Sequence, residues 1–325
     1  MTSDAVLADL GRVAFGVAYR MLGSVADAED VAQETLVRMS DADRTGPVDR
    51  PAAYATTVAG RLALDELRSA RARRERYVGP WLPEPLVGAV GPAVAVGSVA
   101  GDGAAQAELA EDVSVAFLVL LETLAPRERA AFVLHDVLGH PHQVVADALG
   151  TSVPAARQVA SRARRKVAAV RGDDVGPAPA AARAVVERFR DAIATGDAEV
   201  LLEVLDAGVS FTGDGDGNVP PGLSVSKPVG GSVPVARLLA GFVRRGAPAR
   251  LEVGDVGGRP GLLAFADESV GGGLVGVYAV AVTGGRVVAV HGVLNPDKLG
   301  HTGPLADLDR FAAGFSARRD RSPRA

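Results

Sequence analysis

The sequence predicts two small all-α domains followed by an α+β domain built around one curved antiparallel sheet. Apolar residues up to Arg171 recur at helical spacing, as at Val13, Val17 and Met21. Segments rich in proline and glycine interrupt this pattern at residues 77–106 and 172–181. After these breaks, one helix is followed by short runs of alternating apolar residues, which is typical of strands.

The composition narrows the classes of function. The chain has 325 residues, 48% of them hydrophobic, so a core of ordinary size can be buried. The net charge of −4 means that any binding of nucleic acid depends on a local basic patch. The absence of cysteine excludes disulfides, thiolate metal sites and a cysteine nucleophile. No signal peptide or membrane span is expected, and we expect a cytoplasmic protein.

Residues 8–76 are predicted to form three helices, which make the first domain. Ser24 or Asp27 caps the second helix, and Pro51 lies near the start of the third. The third helix has an expected apolar face at Tyr54, Val58, Leu62 and Leu67.

The second helix of this domain is acidic at Asp27, Glu29, Asp30 and Glu34. Such a surface repels phosphate, so it suits a protein partner better than DNA. Acids also favour a helix N-terminus, which explains the first turn without a partner but does not explain Glu34.

Residues 107–171 form the second helical domain, which ends in the basic stretch "SVPAARQVASRARRKVAAVR". A short helix before it, "HQVVADALG", ends in Gly150, and Thr151 or Ser152 caps the longer helix. Short helix, turn and basic helix predict a helix-turn-helix, whose second helix enters the major groove. The apolar stripe of that helix is expected at Ala156, Val159, Ala163, Val167 and Val170.

The basic helix supplies the first candidate DNA contacts. Its N-terminal residues lie nearest the base edges, while the arginines farther along neutralise phosphates. The base-edge candidates are Arg157, Gln158 and Ser161; the phosphate candidates are Arg162, Arg164, Arg165 and Lys166. A solvated surface helix in an arginine-rich chain is the alternative interpretation.

Three segments in the first half resemble the extracytoplasmic-function sigma factors of bacterial RNA polymerase. "AYRMLGSVADAEDVAQETLVRM" is similar to the helix that binds the polymerase, and "RLALDELRSARARRE" to the helix that faces the −10 promoter element. "FLVLLETLAPRERAAFVLHDVLGHPHQVVADALGTSVPAARQVASRARRKV" is similar to the −35-binding domain. The order and spacing of the three agree with the family across residues 10–171.

The resemblance implies a subunit that brings core RNA polymerase to promoter DNA. It assigns the β′ clamp helices of the polymerase to Asp27, Glu29, Asp30, Gln33 and Glu34. It assigns the −10 element to Tyr54, Arg61, Asp65, Arg68, Arg71, Arg73 and Arg74, although Tyr54 fits a core position equally well. The residues that it assigns to the −35 element are Ser152, Arg157, Gln158, Ser161, Arg162, Arg164 and Arg165.

The remainder of the chain resembles the subgroup with a fused SnoaL-like (NTF2-like) domain, here residues 182–315, followed by a tail at 316–325 that looks disordered. "YVGPWLPEPL" and "NPDKL" match two signatures of that subgroup in full. The third usually reads DGGGK and here reads "DGDGNV", so Asp216 and Asn218 depart from it and a positive charge is lost.

The linker motif contains Trp81, the only tryptophan of the chain, among prolines. A stiffened aromatic segment suits docking, and the fused domain is the expected receptor. The candidate contact residues are Trp81, Pro83, Glu84, Asp214, Gly215, Gly217, Asn295, Pro296, Asp297 and Lys298. The domain would then regulate the chain by setting the spacing of its DNA-binding parts. The alternative is a loop anchored by Trp81 on its own helices.

No catalytic residue, metal site or cofactor is predicted. His291 lies on an expected strand and fits a packed position better than a catalytic one. The sheet could enclose a small-molecule ligand, and we expect a monomer when the chain is free. Two other functions remain open: a helix-turn-helix regulator with a ligand-sensing domain, and a SnoaL-type enzyme with a DNA-targeting appendage.

Overall fold

The computed structural model describes residues 4–46, 48–74, 77–88, 113–171 and 179–321. The chain forms two compact units. One contains the two helical bundles, and the other contains the C-terminal domain together with Tyr77–Gly88 of the linker. Among the described helices, none is both long and apolar enough to cross a membrane.

The first bundle consists of α1 (Asp4–Leu22), α2 (Val25–Thr45) and α3 (Pro51–Arg74). Ser24 caps α2 by accepting a hydrogen bond from the backbone N–H of Asp27 at 3.3 Å, which settles the choice between the two predicted caps. The bundle core includes Val17, Ala18 and Leu64, all at most 4% exposed. The expected face of α3 is buried at Val58 and Leu67, whereas Tyr54 and Leu62 are half-buried.

The second bundle consists of α4 (Val115–Leu121), α5 (Pro126–Phe132), α6 (His142–Leu149) and α7 (Val153–Arg171). The π-helical turn Val133–Val137 continues α5, and its carbonyl at Val133 accepts from the N–H of Leu138. Gly150 ends α6 in the left-handed conformation (φ 58°), and Ser152 caps α7 through the N–H of Ala155. These turns form the predicted helix-turn-helix.

His140 is a buried histidine of the second bundle whose pKa differs between the folded and unfolded chain. It is 6% exposed, and burial together with the nearby charge of Arg50 lowers the pKa of His140 to about 4. Between pH 6.5 and 4, His140 is therefore protonated in the unfolded chain but neutral in the folded chain. The free energy of unfolding consequently decreases as pH falls through this window.

We expect His140→Gln to reduce the pH dependence of unfolding. Between pH 7 and pH 5 the parent should lose about 2 kcal/mol more of unfolding free energy than the variant. Urea titrations of both proteins at the two pH values measure this difference. Equal losses in the two proteins would show that His140 does not titrate on unfolding.

The C-terminal domain packs helices against one six-stranded sheet. Its helices are α8 (Pro179–Thr195), α9 (Ala198–Val204), α10 (Ser232–Arg244) and α11 (Leu308–Arg321). Its strands are β1 (Leu205–Asp214), β2 (Val229–Gly230), β3 (Ala249–Val256), β4 (Arg259–Ala266), β5 (Leu274–Thr283) and β6 (Arg286–Val293). Helix α11 reaches Arg321, so part of the segment predicted as a disordered tail is helical.

The sheet has the order β2-β1-β6-β5-β4-β3. All neighbouring strands are antiparallel except β1 and β6, which run parallel. One face carries Leu262, Val280 and Val290 into a core completed by helical residues such as Phe189 and Val235. The predicted α+β architecture is therefore confirmed, with the parallel β1–β6 pair as an addition.

Candidate promoter-binding surfaces and the linker site

Helix α7 presents a polar basic face. Ala156, Val159, Ala160, Ala163 and Val167 are at most 8% exposed and form its buried stripe. The prediction that Val170 belongs to this stripe is wrong, because its side chain lies about one turn beyond the packed part of the helix and is 58% exposed. All the predicted −35 residues are exposed: Ser152, Arg157, Gln158, Ser161, Arg162, Arg164 and Arg165.

Two cations of α7 are already paired within the bundle. Arg164 contacts Asp136 at 2.6 Å, and Lys166 contacts Glu128 at 2.8 Å. The hydrogen bond from Lys166 is the main cause that lowers the pKa of Glu128. In the described part of the chain, Arg157, Arg162 and Arg165 make no ion pair, so their charges face solvent.

Helix α2 presents the acidic surface. Glu29, Asp30, Gln33 and Glu34 are exposed along one face, and Asp27 is half-buried at the capped end. Glu34 is paired with Arg38 of the next turn at 2.8 Å. Val37 adds an apolar side chain that is 56% exposed on the same face. The face combines exposed carboxylates with an apolar side chain, which suits a protein partner.

The predicted −10 residues of α3 have varied surroundings. Tyr54 packs half-buried against the cluster of Leu10, Met39 and Ala55, which favours the core role over contact with a base. Arg61 donates from Nε to the backbone carbonyl of Asp147 at 2.8 Å, and exposed Asp65 and Arg68 pair at 3.0 Å. The side chains of Arg71, Arg73 and Arg74 lie outside the described part of the chain.

A buried carboxylate of the C-terminal domain accepts hydrogen bonds from the linker. Asp214 ends β1 with no exposed surface. One oxygen accepts from the hydroxyl of Tyr77, and the other accepts from the backbone N–H of Leu82 and from Nζ of Lys298, both at 2.7 Å. Lys298 is 7% exposed and also donates to the carbonyl of Leu82. We call Tyr77, Leu82, Asp214, Asn295 and Lys298 the linker site.

Aromatic rings complete the surroundings of the lysine. Nζ of Lys298 lies 4.3 Å from the ring centroid of Trp81 and 4.7 Å from that of Tyr77, within cation–π range. The amide of Asn295 donates to the Tyr77 hydroxyl at 3.1 Å. Burial, followed by the hydrogen bond to Asp214, raises the pKa of Tyr77 well above its usual range. Tyr77 therefore remains a neutral donor to the carboxylate.

The two departures from the DGGGK pattern also contribute contacts. Asp216 has a positive φ of 45° and accepts from the backbone N–H of Val78 at 2.9 Å. Asn218 donates to Asp297 at 3.0 Å. Asp297 belongs to the 3₁₀ turn Pro296–Lys298, which Asn295 caps. An amide thus contacts an acid of the NPDKL motif where the usual lysine would stand.

The linker continues along the edge of the domain beyond the linker site. Pro83 is buried, and Glu84 is half-buried. The carbonyl of Pro85 contacts Nε2 of His301 at 3.0 Å, and the carbonyl of Leu86 accepts from Gly257 at 2.8 Å. Gly215 and Gly217 lie in the loop that meets this segment, and a Cβ on Gly217 would lie 3.7 Å from Val78. The structure thus brings the two fully matching signatures together on the domain.

His291 lies away from the cavity described below. Its neighbour Val290 lines the cavity, and successive side chains of a strand point to opposite faces, so His291 points to the other face of β6. Burial lowers the pKa of His291 to about 4, and its Nδ1 has no hydrogen-bond partner among the described residues. His291 is therefore not among the residues that line the cavity.

Two family models match the helical half of the chain. Residues 7–73 match the family model Sigma-70 region 2, and residues 114–167 match Sigma-70, region 4. The ECF RNA polymerase sigma factor SigJ of Mycobacterium tuberculosis H37Rv is 41% identical over 293 residues, which cover 87% of this chain and 88% of SigJ. Probable ECF RNA polymerase sigma factor SigI of M. tuberculosis CDC 1551 is 34% identical over 285 residues, which cover 87% of this chain and 90% of SigI.

A solved structure extends the likeness to the whole architecture. The crystal structure of the extracytoplasmic-function sigma factor SigJ of M. tuberculosis superposes with a TM-score of 0.69 at 34% sequence identity. The superposition covers 92% of this chain and 98% of SigJ. Both helical regions and the C-terminal domain therefore have counterparts in one known protein. The chain belongs to the extracytoplasmic-function family of RNA polymerase sigma factors.

Proposed function

We propose that this sigma factor reads the −35 element with α7, binds the β′ clamp helices with α2, and is regulated through its linker site. The observation that carries the −35 assignment is the exposed basic face of α7 at the end of a helix-turn-helix. Opposite the buried stripe at helical spacing lie Gln158, Ser161 and Arg165, with Arg157 and Arg162 on either side.

The ion pairs of α7 reduce the number of its cations that are available to DNA. Arg164 and Lys166 are held by Asp136 and Glu128, so a phosphate must compete with those acids for them. Arg157 lies nearest the helix N-terminus, where base edges are read, and Arg165 lies two turns farther along. We therefore assign base recognition to Arg157 and a phosphate to Arg165.

Arg157→Ala and Arg165→Ala should weaken −35 binding in different ways. Loss of a bidentate contact to guanine should cost about 1–3 kcal/mol and relax the preference at one base pair. Arg165→Ala should lower affinity evenly across sequences and reduce the dependence on salt by about one phosphate contact. Binding of the polymerase holoenzyme to a set of −35 variants at several salt concentrations measures both. Equal losses for the two variants on every promoter would contradict this orientation of α7.

Binding of the −10 element by α3 requires a rearrangement within the helical unit. Arg61 is bonded to the carbonyl of Asp147 in α6, and a Cβ on Gly60 would lie 3.3 Å from Leu134. Region 2 and region 4 thus pack together through the face that carries Arg61. We infer that the two regions separate on the promoter, which frees Arg61 for DNA.

The linker site supports a regulatory role for the C-terminal domain. Tyr77–Gly88 is bonded to that domain, so residues 89–112 are left to join the docked segment to region 4. A tethered chain spans at most about 3.3–3.6 Å per residue, so docking limits the separation of the two DNA-binding regions. We infer that docking selects promoters by the spacing of their two elements.

Removal of the C-terminal domain tests this role. A chain that ends near residue 175 should initiate on promoters with a wider range of spacer lengths, because its linker is no longer held. Run-off transcription from promoters that differ only in spacer length compares the truncated and intact chains. Identical yields from the two chains at every spacer would remove the regulatory role.

A further inference from the structure

The C-terminal domain encloses an apolar cavity of about 440 Å³. The cavity lies between the sheet and helices α8, α10 and α11, where Phe189, Phe211, Leu239, Leu262 and Phe311 line it. Pockets of this size and lining bind drug-sized molecules in other proteins. All of its lining residues belong to the C-terminal domain.

Two hydroxyl groups in the lining lack partners. Oγ of Ser224 is buried and has no hydrogen bond among the described residues. Tyr278 lies across the sheet, where a Cβ on Gly292 would come within 2.7 Å of its ring, and its hydroxyl makes no hydrogen bond in the described part of the chain. Burial raises the pKa of Tyr278 to about 12, which keeps the hydroxyl neutral. An unpaired buried hydroxyl such as that of Ser224 is costly unless something else supplies the hydrogen bond, whereas Tyr278 is half-buried.

The charges near the cavity are already balanced. Arg190 pairs with Asp191 at 2.7 Å. Arg250 pairs with Glu252 at 2.9 Å and lies over the ring of Phe265. An anion would therefore have to displace an existing carboxylate, and a cation has no acid among the lining residues. The lining thus favours an uncharged occupant.

We propose that this cavity binds a neutral, mainly apolar molecule that carries one carbonyl or hydroxyl group, with Ser224 and Tyr278 as its hydrogen-bonding partners. The apolar lining supplies affinity through burial, and the two hydroxyls select for one polar group. A hydrocarbon of the same shape leaves both hydroxyls unpaired and binds more weakly.

Ser224 also lies beside the chain that holds the linker. A Cβ on Gly213 would lie 2.9 Å from its Oγ, and a Cβ on Gly215 would lie 3.3 Å from its Cβ. Asp214, between these glycines, bonds to the linker. A ligand at Ser224 therefore shifts linker docking to the extent that it binds the docked and undocked states differently. This consequence rests on the proposed regulatory role, whereas the binding site does not.

The binding site is tested on the full chain without polymerase or DNA, so failure here leaves the promoter assignment intact. The fluorescent probe N-phenyl-1-naphthylamine should bind saturably at one site. In competition, 1-acetylnaphthalene should bind about 3–10-fold more tightly than its isosteric hydrocarbon 1-isopropenylnaphthalene. Charged 1-naphthoate should compete worst. Lack of saturable binding, or a hydrocarbon as good as the ketone, would overturn the proposal.

Variants assign the binding to this cavity. Ser224→Ala combined with Tyr278→Phe should abolish the preference for the ketone and retain the probe. Ala264→Phe should fill the cavity and exclude the probe, because Ala264 is a buried lining residue. Val233→Phe, at an exposed position of α10 outside the lining, is the matched control and should bind normally. Unchanged preference in the double variant would overturn the proposal even if Ala264→Phe does not fold.

Emission of the single tryptophan tests the coupling. Trp81 lies against Lys298, so its emission reports linker docking. 2-Decanone, whose ketone absorbs only very weakly where tryptophan is excited, should shift this emission with the same concentration dependence as its competition with the probe. Binding of 2-decanone without a change at Trp81 would overturn the coupling to the linker.

Discussion

Asp214→Ala should destabilise the C-terminal domain by about 3–5 kcal/mol, since breaking a buried ion pair leaves one charge buried without compensation. In this chain, the charge left without its partner is the ammonium group of Lys298, a residue that is 7% exposed. The same substitution also removes the acceptor for Tyr77 and for the N–H of Leu82. We therefore expect the linker to leave the domain. Urea unfolding followed by Trp81 emission measures both the stability and the release.

Two further variants separate the ion pair from other effects. Asp214→Leu combined with Lys298→Met removes both charges and should recover much of the stability, although not the hydrogen bonds to the linker. Asp216→Asn keeps a residue that tolerates positive φ and alters only the exposed contact to Val78, so it should change stability by less than about 1 kcal/mol. If Asp214→Ala unfolds like the parent and leaves Trp81 emission unchanged, the linker site does not hold the linker.

Charge reversal on α2 should prevent binding to core polymerase. Glu29→Lys combined with Asp30→Lys changes two exposed carboxylates that we assign to the β′ clamp helices. Like charges placed across an interface cost several kcal/mol, so affinity for the core enzyme should fall about 100-fold or more. Titration of labelled sigma factor with core polymerase measures this loss.

A matched control excludes an effect of net charge alone. Glu187→Lys combined with Asp191→Lys on α8 makes the same change in charge on exposed side chains of the C-terminal domain. This variant should bind core polymerase like the parent. If both pairs weaken binding equally, or if neither weakens it, α2 is not the polymerase-binding surface.

The helical half of the fold was predictable because local signals agree there. On α7, the cap at Ser152, the left-handed Gly150 before it and the apolar spacing all indicate the same helix. The prediction erred at Val170, where the helix extends beyond the core that would cover it. Periodicity reports which face can be buried, and packing decides how far along the helix that face is covered.

The C-terminal domain was predicted less completely. Strands β3 to β6 alternate clearly, and the structure has all four. Strand β1 was missed because "LDAGVSFTGD" contains glycines and acids that weaken the strand pattern. Helix α10 was missed although Val235, Ala236, Leu239 and Ala240 follow helical spacing, a signal that the neighbouring proline and glycine obscured.

The linker site was predicted only in part from the sequence. Trp81 among prolines predicted a docking peptide, and the shared signatures indicated its receptor. The pairing of Asp214 with Lys298, 84 residues apart, depends on the tertiary fold and has no local signal. The cavity likewise has no local signal in the sequence, because its volume depends on the space that side chains of the helices and the sheet leave between them.

Run-off transcription with purified core polymerase tests the central claim most directly. On a template with matched −10 and −35 elements, transcript should appear only when the chain and core polymerase are both present. The chain alone should bind that template weakly. Tight binding by the chain alone, with no transcript when core polymerase is added, would contradict its role as a promoter-specificity subunit and favour a helix-turn-helix repressor.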